Sequence, residues 1–207
     1  MDQRDAARSP ATPAPLGDAR LVRLRTVILE HGYLRREQPF QLSSGGMSYD
    51  YVDLRRALSR GADLVAAAEA LIAALEERAP GYDAIGGMTM GADPIAHAVA
   101  VLARSSWFSV RKQEKHHGAG RRIEGAALEA GRRVVLVEDT VSTGRSILEA
   151  LDVVAASGAK VVVACTLLDR GELAAARFSE RGVPYFRLLS YEDLGIEPIG
   201  DPASSTP

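Results

Sequence analysis

Glu138 and Asp139 sit side by side after the apolar run Val134-Val-Leu-Val137 and are followed by Thr140-Val-Ser-Thr-Gly-Arg-Ser146. The apolar run reads as a buried parallel strand, and the spacing predicts that the acids stand where it leaves the sheet. Carboxyl ends of strands are where open α/β sheets bind ligands. The hydroxyl- and glycine-containing stretch leads into an amphipathic helix, whose free N-terminal N–H groups are suited to an anion. Two carboxylates repel a phosphate but accept hydrogen bonds from sugar hydroxyls. The types and order of these residues therefore fit a phosphorylated ribose, with the phosphate in the loop and the diol on the acids. The plainer reading is a strand, an ordinary turn and a capped helix, which does not call for paired acids at that point. A Walker loop and a dinucleotide-binding glycine fingerprint are both missing from the strand-to-helix setting.

A second chemical segment is Arg111-Lys-Gln-Glu-Lys-His-His-Gly-Ala-Gly-Arg-Arg-Ile-Glu124. It follows an apolar run, concentrates cations and ends in a glycine-rich stretch. Loops of this length inside a compact domain are usually functional. The chain writes nearly all its cations as arginine, yet two of its three lysines, Lys112 and Lys115, fall in this loop, the third being Lys160. That placement fits a site where a compact ammonium is wanted over a polyanion such as pyrophosphate. The alternative is a solvated basic loop. His116 and His117 are adjacent, so at most one is expected to face a substrate, and no third ligand has spacing suited to zinc.

These segments need a scaffold, and the rest of the sequence supplies one. With 207 residues, 46% hydrophobic and 25% charged, the chain suits one soluble domain. The net charge of −2 offers no electrostatic case for nucleic acid. No apolar run is long enough to span a bilayer. Cys165, the single cysteine, lies in an apolar run and reads as a small buried hydrophobe in a reducing cytoplasm. Residues 1–17 and 196–207 read as flexible tails around a single domain at 18–195.

Asp18 is placed to cap a helix that runs to about His31. Phe40–Ser43 and Tyr49–Asp53, joined through Gly45 and Gly46, read as a hairpin. A long helix is expected over 62–78. Three strand-helix steps follow: Ala84-Ile85 into 94–102, Val134–Val137 into 147–156, and Val161–Leu168 into 172–180, with a further strand at Trp107–Val110. Such alternation implies a mainly parallel sheet flanked by helices on both faces. Tyr49 and Tyr51 alternate on their strand and could stack on a base or pack in the core. His31 and His97 fall on helices, where structural roles are expected.

The run Glu138–Ser146 resembles the phosphoribosyl-pyrophosphate (PRPP) loop of type I phosphoribosyltransferases. The Arg-Lys-x-x-Lys-x-His-Gly-x-Gly order beginning at Arg111 is similar to the catalytic loop of orotate phosphoribosyltransferases. Phe40–Gly45, Ser48–Asp53 and Gly86–Ala96 agree with the same family, in the family's order from about Asp18 to Leu194. The resemblance implies a type I phosphoribosyltransferase fold with a small N-terminal helix and hairpin hood. It implies Mg²⁺-dependent transfer of ribose 5-phosphate from PRPP to orotate, giving orotidine 5′-monophosphate and pyrophosphate in pyrimidine synthesis.

Carried over residue by residue, the resemblance places the ribose hydroxyls on Glu138 and Asp139. It places the 5′-phosphate on Thr140, Val141, Ser142, Thr143, Gly144, Arg145 and Ser146. The pyrophosphate falls to Arg111, Lys112, Lys115 and His117, with Lys115 the leading catalytic residue. Ser142 and Arg170 match positions that contact orotate, a guanidinium being a natural fork for its carboxylate. Ser142 could instead shape the loop, and Arg170 could form a surface ion pair beside Asp169. The resemblance further implies a homodimer whose catalytic loop reaches the partner's site, no membrane or nucleic-acid partner, and Mg²⁺ held by pyrophosphate and water rather than by a protein cage. Ser43, Met90 and Gly91 stand where some family members carry lysine or Tyr-Lys, and Ser142 replaces a commoner threonine. These departures keep two alternatives open: transfer to another base, and a non-enzymatic PRPP sensor.

Overall fold

The computed structural model describes residues 17–41, 47–113 and 122–196. The expectations for most of both tails, for Ser43 and the hairpin turn, and for Lys115, His116 and His117 lie outside those residues.

Asp18 caps helix α1 (Ala19–Val27), its Oδ1 accepting from the Arg20 N–H at 2.7 Å. A π turn at Ile28–Gly32 then feeds strand β1 (Tyr33–Gln41), which pairs antiparallel with β2 (Met47–Val52). The hairpin's first strand thus begins seven residues before the expected Phe40. Asp53 caps a short helix, α2 (Leu54–Ala57), before the long α3 (Gly61–Arg78).

The remaining elements alternate: β3 (Ala84–Met88), α4 (Asp93–Ala103), β4 (Ser106–Val110), β5 (Ile123–Gly125), β6 (Arg133–Val141), α5 (Arg145–Ala156), β7 (Lys160–Asp169), α6 (Leu173–Glu180) and β8 (Tyr185–Ser190). The six strands form one sheet in the order β5-β4-β3-β6-β7-β8. All neighbours run parallel except β4 and β5. From β3 the chain moves outward through α4 to β4; from β6 it moves the other way through α5 to β7. The winding therefore reverses between β3 and β6, which opens a crevice at their carboxyl ends.

Strand periodicity fills both faces of this sheet. Val135 and Val137 of β6 enter the core beneath α1, α3 and α4, while Val134 and Leu136 enter the one beneath α5 and α6. Cys165 is fully buried in the first core, where burial pushes its thiol far above the ordinary range. The reading of Cys165 as a small buried hydrophobe holds. Ile196 also packs in that core, its N–H donating to the Tyr191 carbonyl, so the packed chain reaches past the expected boundary at 195.

β6 departs from the sequence expectation in a way that matters for the site. It runs through Glu138 and Asp139 to Val141, held by pairing of Glu138 with Thr166, Thr140 with Leu168 and Val141 with Asp169 of β7. The acids lie inside the strand, and the turn into α5 is confined to Ser142, Thr143 and Gly144. The strands β5 and β8 were not anticipated.

Two glycines in β3 let the strands come together at the crevice. A Cβ on Gly86 would fall 2.0 Å from the Phe108 carbonyl oxygen, and one on Gly87 would fall 2.0 Å from that of Val137. Overpacking of this kind costs about 1–3 kcal/mol. Gly87→Ala is expected to lower the urea midpoint by a corresponding amount, because Val137 is backbone that must move. An unchanged midpoint would show that the strands have slack there.

Candidate active site

The crevice holds a cavity of about 610 Å³. β3 and the turn after it contribute Met88, Thr89, Met90 and Gly91; β6 contributes Glu138, Asp139 and Thr140; the loop after β7 contributes Arg170. The hairpin side closes it with Tyr51, Val52, Asp53, Leu54 and Arg55, and Lys112 enters from the end of β4. A second cavity of about 290 Å³ is formed by Thr140 through Ile147 together with Glu138 and Arg170. Glu138, Thr140, Ser146 and Arg170 line both, so the two adjoin.

Glu138 is only 7% exposed, and its Oε2 is buried without a hydrogen-bond partner. Burial raises its pKa to about 8, Asp139 and Asp93 add to the rise, and the Lys112 ammonium opposes it. This carboxyl favours the protonated state in the folded chain. Its contribution to stability is present below the ordinary carboxylate range and is lost as pH rises through about 8. Asp139 is raised too, by burial first, while the Thr140 N–H it accepts at 2.7 Å and the nearby Arg170 and Arg55 pull it back.

Gly91 makes the arrangement possible. A Cβ there would stand 2.7 Å from both Glu138 Oε1 and Asp139 Oδ1. Gly91 is thus a seat for the acid pair. Asp93 fixes the same turn from below, accepting from the hydroxyls of Thr89 at 2.7 Å and Ser109 at 2.6 Å. The peptide bond between Thr89 and Met90 is cis.

The turn before α5 is a cradle. Gly144 has φ +74°, and a Cβ would meet Ala174 of α6 at 3.2 Å. No side chain caps α5, which leaves the first-turn N–H groups for a ligand. Arg177 of α6 donates to the Thr143 carbonyl at 2.6 Å and turns that acceptor away from an incoming anion. Neither Ala174 nor Arg177 was singled out in the sequence, since their roles depend on α6 crossing the loop.

Arg170 is not in a surface ion pair with Asp169. Asp169 is buried and accepts from the Tyr185 hydroxyl at 2.7 Å and the Gly171 N–H at 3.2 Å. Arg170 turns the other way, with Nη2 donating to the Val52 carbonyl at 3.2 Å and Nε buried without a partner. Tyr51 lines the same cavity, its ring edge-on to Phe40 at 5.7 Å between centroids. Tyr49 is 44% exposed and does not line it.

The structure thus brings together Lys112, Glu138, Asp139, Thr140 and Arg170, with Val141 through Ser146 adjoining. Ser142 sits in the smaller cavity and not in the larger one. Arg111 lines neither; its guanidinium lies 3.8 Å from Glu124. Asp53 and Arg55 line the larger cavity without having been singled out. The signal for Asp53 was present in the matching hairpin motif, which ends there, whereas Arg55 lies beyond it. His97 packs edge-on to Trp107 at 4.4 Å, and His31 lies 3.1 Å from Arg60, both away from the crevice.

Comparison with known proteins converges on one family. The phosphoribosyl transferase domain model matches residues 62–179. The orotate phosphoribosyltransferase of Streptomyces coelicolor is 42% identical over 165 residues, which cover 75% of this chain and 87% of that protein. A crystal structure of Mycobacterium tuberculosis orotate phosphoribosyltransferase in complex with PRPP superposes with a TM-score of 0.70 at 32% identity, covering 86% of this chain and 99% of that one. The Aeropyrum pernix enzyme gives a TM-score of 0.74 at 30% identity, over 83% of this chain and 95% of that one. The matched domain model and these identities place this chain in the phosphoribosyltransferase family, among the orotate phosphoribosyltransferases.

Proposed function

We propose that this chain transfers ribose 5-phosphate from PRPP to orotate, releasing pyrophosphate and forming orotidine 5′-monophosphate for pyrimidine synthesis. The observation that carries the reading is the pair of adjoining cavities, one built as an anion cradle and the other lined by two acids, a guanidinium and an ammonium. The 5′-phosphate sits on the turn from Thr140 to Ser146 and the ribose diol on Glu138 and Asp139. Arg170 takes the carboxylate of orotate, and Tyr51 offers the ring a face. Ser142, on the phosphate side, shapes the cradle where it meets the base.

Bond-making joins a ring nitrogen of orotate to the anomeric carbon as the bond to the pyrophosphate oxygen breaks, the proton of that ring N–H leaving to water. Positive charge grows on the ribose and negative charge on the leaving group. Cations placed where that charge develops lower the barrier more than groups that bind substrate and transition state alike. Lys112 lines the cavity, and the loop would bring Lys115, His117 and, on leaving Glu124, Arg111 to the same pyrophosphate. Among the described residues no three His, Cys, Asp or Glu side chains converge on one point. The acid pair with its unpartnered Oε2 fits a Mg²⁺ that arrives with pyrophosphate and keeps much of its water. Such an ion would neutralise charge on the departing phosphates.

The same reading includes a homodimer in which the catalytic loop serves the partner's site, and a cytoplasmic location in keeping with one buried cysteine. No described helix is long and apolar enough to cross a membrane.

Loss of orotate ultraviolet absorbance, measured with PRPP and Mg²⁺ beside adenine, guanine, hypoxanthine and uracil, tests the activity. Orotate is expected to turn over alone, and Arg170→Gln is expected to raise its KM by roughly 10–100-fold with little change for PRPP. Turnover of another base in place of orotate would move the specificity, and inactivity with every base despite PRPP binding would favour a sensor. Lys115→Ala is expected to lower kcat by about 10²–10³ with saturating substrates; a normal kcat would remove that residue from the chemistry.

A further inference from the structure

Arg122 lies outside both cavities, yet it makes a dense set of contacts at their edge. The chain leaves β4 at Val110 and returns antiparallel as β5, pairing Val110 with Ile123. At the open end of that pair the Arg111 N–H donates to the Arg122 carbonyl at 2.8 Å. The Arg122 guanidinium closes back over the departing strand, Nε donating to the Arg111 carbonyl at 3.0 Å and Nη2 to the Lys112 carbonyl at 3.1 Å. The same Nη2 donates to Glu149 Oε1 at 2.5 Å. Glu149 belongs to α5, whose first turn contributes Ser146 to both cavities.

We infer that Arg122, held by Glu149, is a positioning residue that fixes the Arg111–Lys112 backbone to helix α5 and so sets the Lys112 ammonium in the cavity opposite Glu138. The inference rests on reading that cavity as the PRPP site. A free strand end carrying a flexible lysine would lose rotamer and backbone entropy each time it met a polyanion. Two carbonyls pinned by one planar fork remove the backbone part of that loss before the ligand arrives. The fork geometry belongs to arginine; a lysine cannot reach two carbonyls and a carboxylate in one plane. Glu149 supplies the charge that keeps the guanidinium there, and because it rides on α5 it ties the lysine to the element that carries the phosphate cradle. Arg122 touches no substrate in this scheme and acts through Lys112.

A double-mutant cycle between Arg122→Ala and Lys112→Ala separates this role from a general one in holding the loop. Arg122→Ala is expected to raise the KM for PRPP by about 10-fold while leaving the KM for orotate unchanged, since it loses charge-assisted bonds to one segment. In the Lys112→Ala background the same change is expected to add less than about 2-fold. Arg122→Lys should recover little of the loss, and Glu149→Gln, which keeps the acceptor but not the charge, should shift the PRPP KM in the same direction by a smaller factor. Equal effects of Arg122→Ala in both backgrounds, or an unaltered PRPP KM, would overturn the inference. Should Arg122→Ala lower the melting temperature substantially, the cycle between Glu149→Gln and Lys112→Ala decides by the same criterion. PRPP binding by the unmodified chain, measured first by calorimetry, belongs to the parent reading: its absence overturns both, whereas binding with a multiplicative cycle overturns the positioning role alone.

Discussion

Two adjacent carboxyl groups at the meeting of β3 and β6, Glu138 buried and Asp139 half-buried, set the constraint around which the crevice is arranged. Placing like charges side by side away from water is costly, and the surrounding structure only partly offsets it. The Thr140 N–H and the Arg170 and Arg55 guanidiniums favour the charged form of Asp139. Glu138 has Lys112 in opposition to burial, Asp139 and Asp93. The pair fits at all because Gly91 has no side chain, a Cβ there standing 2.7 Å from an oxygen of each acid. Gly87, one strand away, keeps β6 close enough to hold the acids in place. A site held in this unrelieved state is suited to a ligand that brings hydroxyl donors and accompanying positive charge.

The cations around the acids are kept apart by equally specific contacts. Tyr185 and the Gly171 N–H occupy the Asp169 carboxylate, so the neighbouring Arg170 is not neutralised by it and points into the cavity. Arg177 occupies the Thr143 carbonyl, which leaves donors rather than acceptors facing the phosphate cradle. Arg122 performs the corresponding task at the end of β4. In each case a group outside the cavity removes a competing partner or fixes a backbone, and the side chain that meets the ligand is left with unfilled bonding capacity.

Much of this could be read in the sequence because it depends on local order. The apolar run at Val134, the acids after it and the hydroxyl-rich turn form one strand-turn-helix unit whose chemistry is written in sequence neighbours. The length of β6 could not be read that way. Its last residues are strand because Glu138, Thr140 and Val141 find partners on β7, and such pairing is not visible in a polar stretch. Strand β5 is three residues long and exists only through β4. Strand β8 follows Pro184, and Arg187 interrupts its apolar run. Gly91 illustrates the limit most sharply: in the sequence it is one glycine in a turn, whereas in three dimensions it is the seat of the acid pair. Arg111 is the converse case, a motif residue that faces Glu124 rather than the cavity.

On the proposed reading, an acid pair with one member protonated in the free chain becomes an acceptor of ribose hydroxyls on binding PRPP. Calorimetry of PRPP binding near pH 7, in buffers of differing ionisation enthalpy, tests it most directly. With the Glu138 pKa raised to about 8, binding that requires the carboxylate must release a proton, and affinity must rise as pH climbs through that value. Proton release by the unmodified chain is expected to exceed that measured for Glu138→Gln, which lacks this carboxyl. Equal proton release by the two proteins would contradict it.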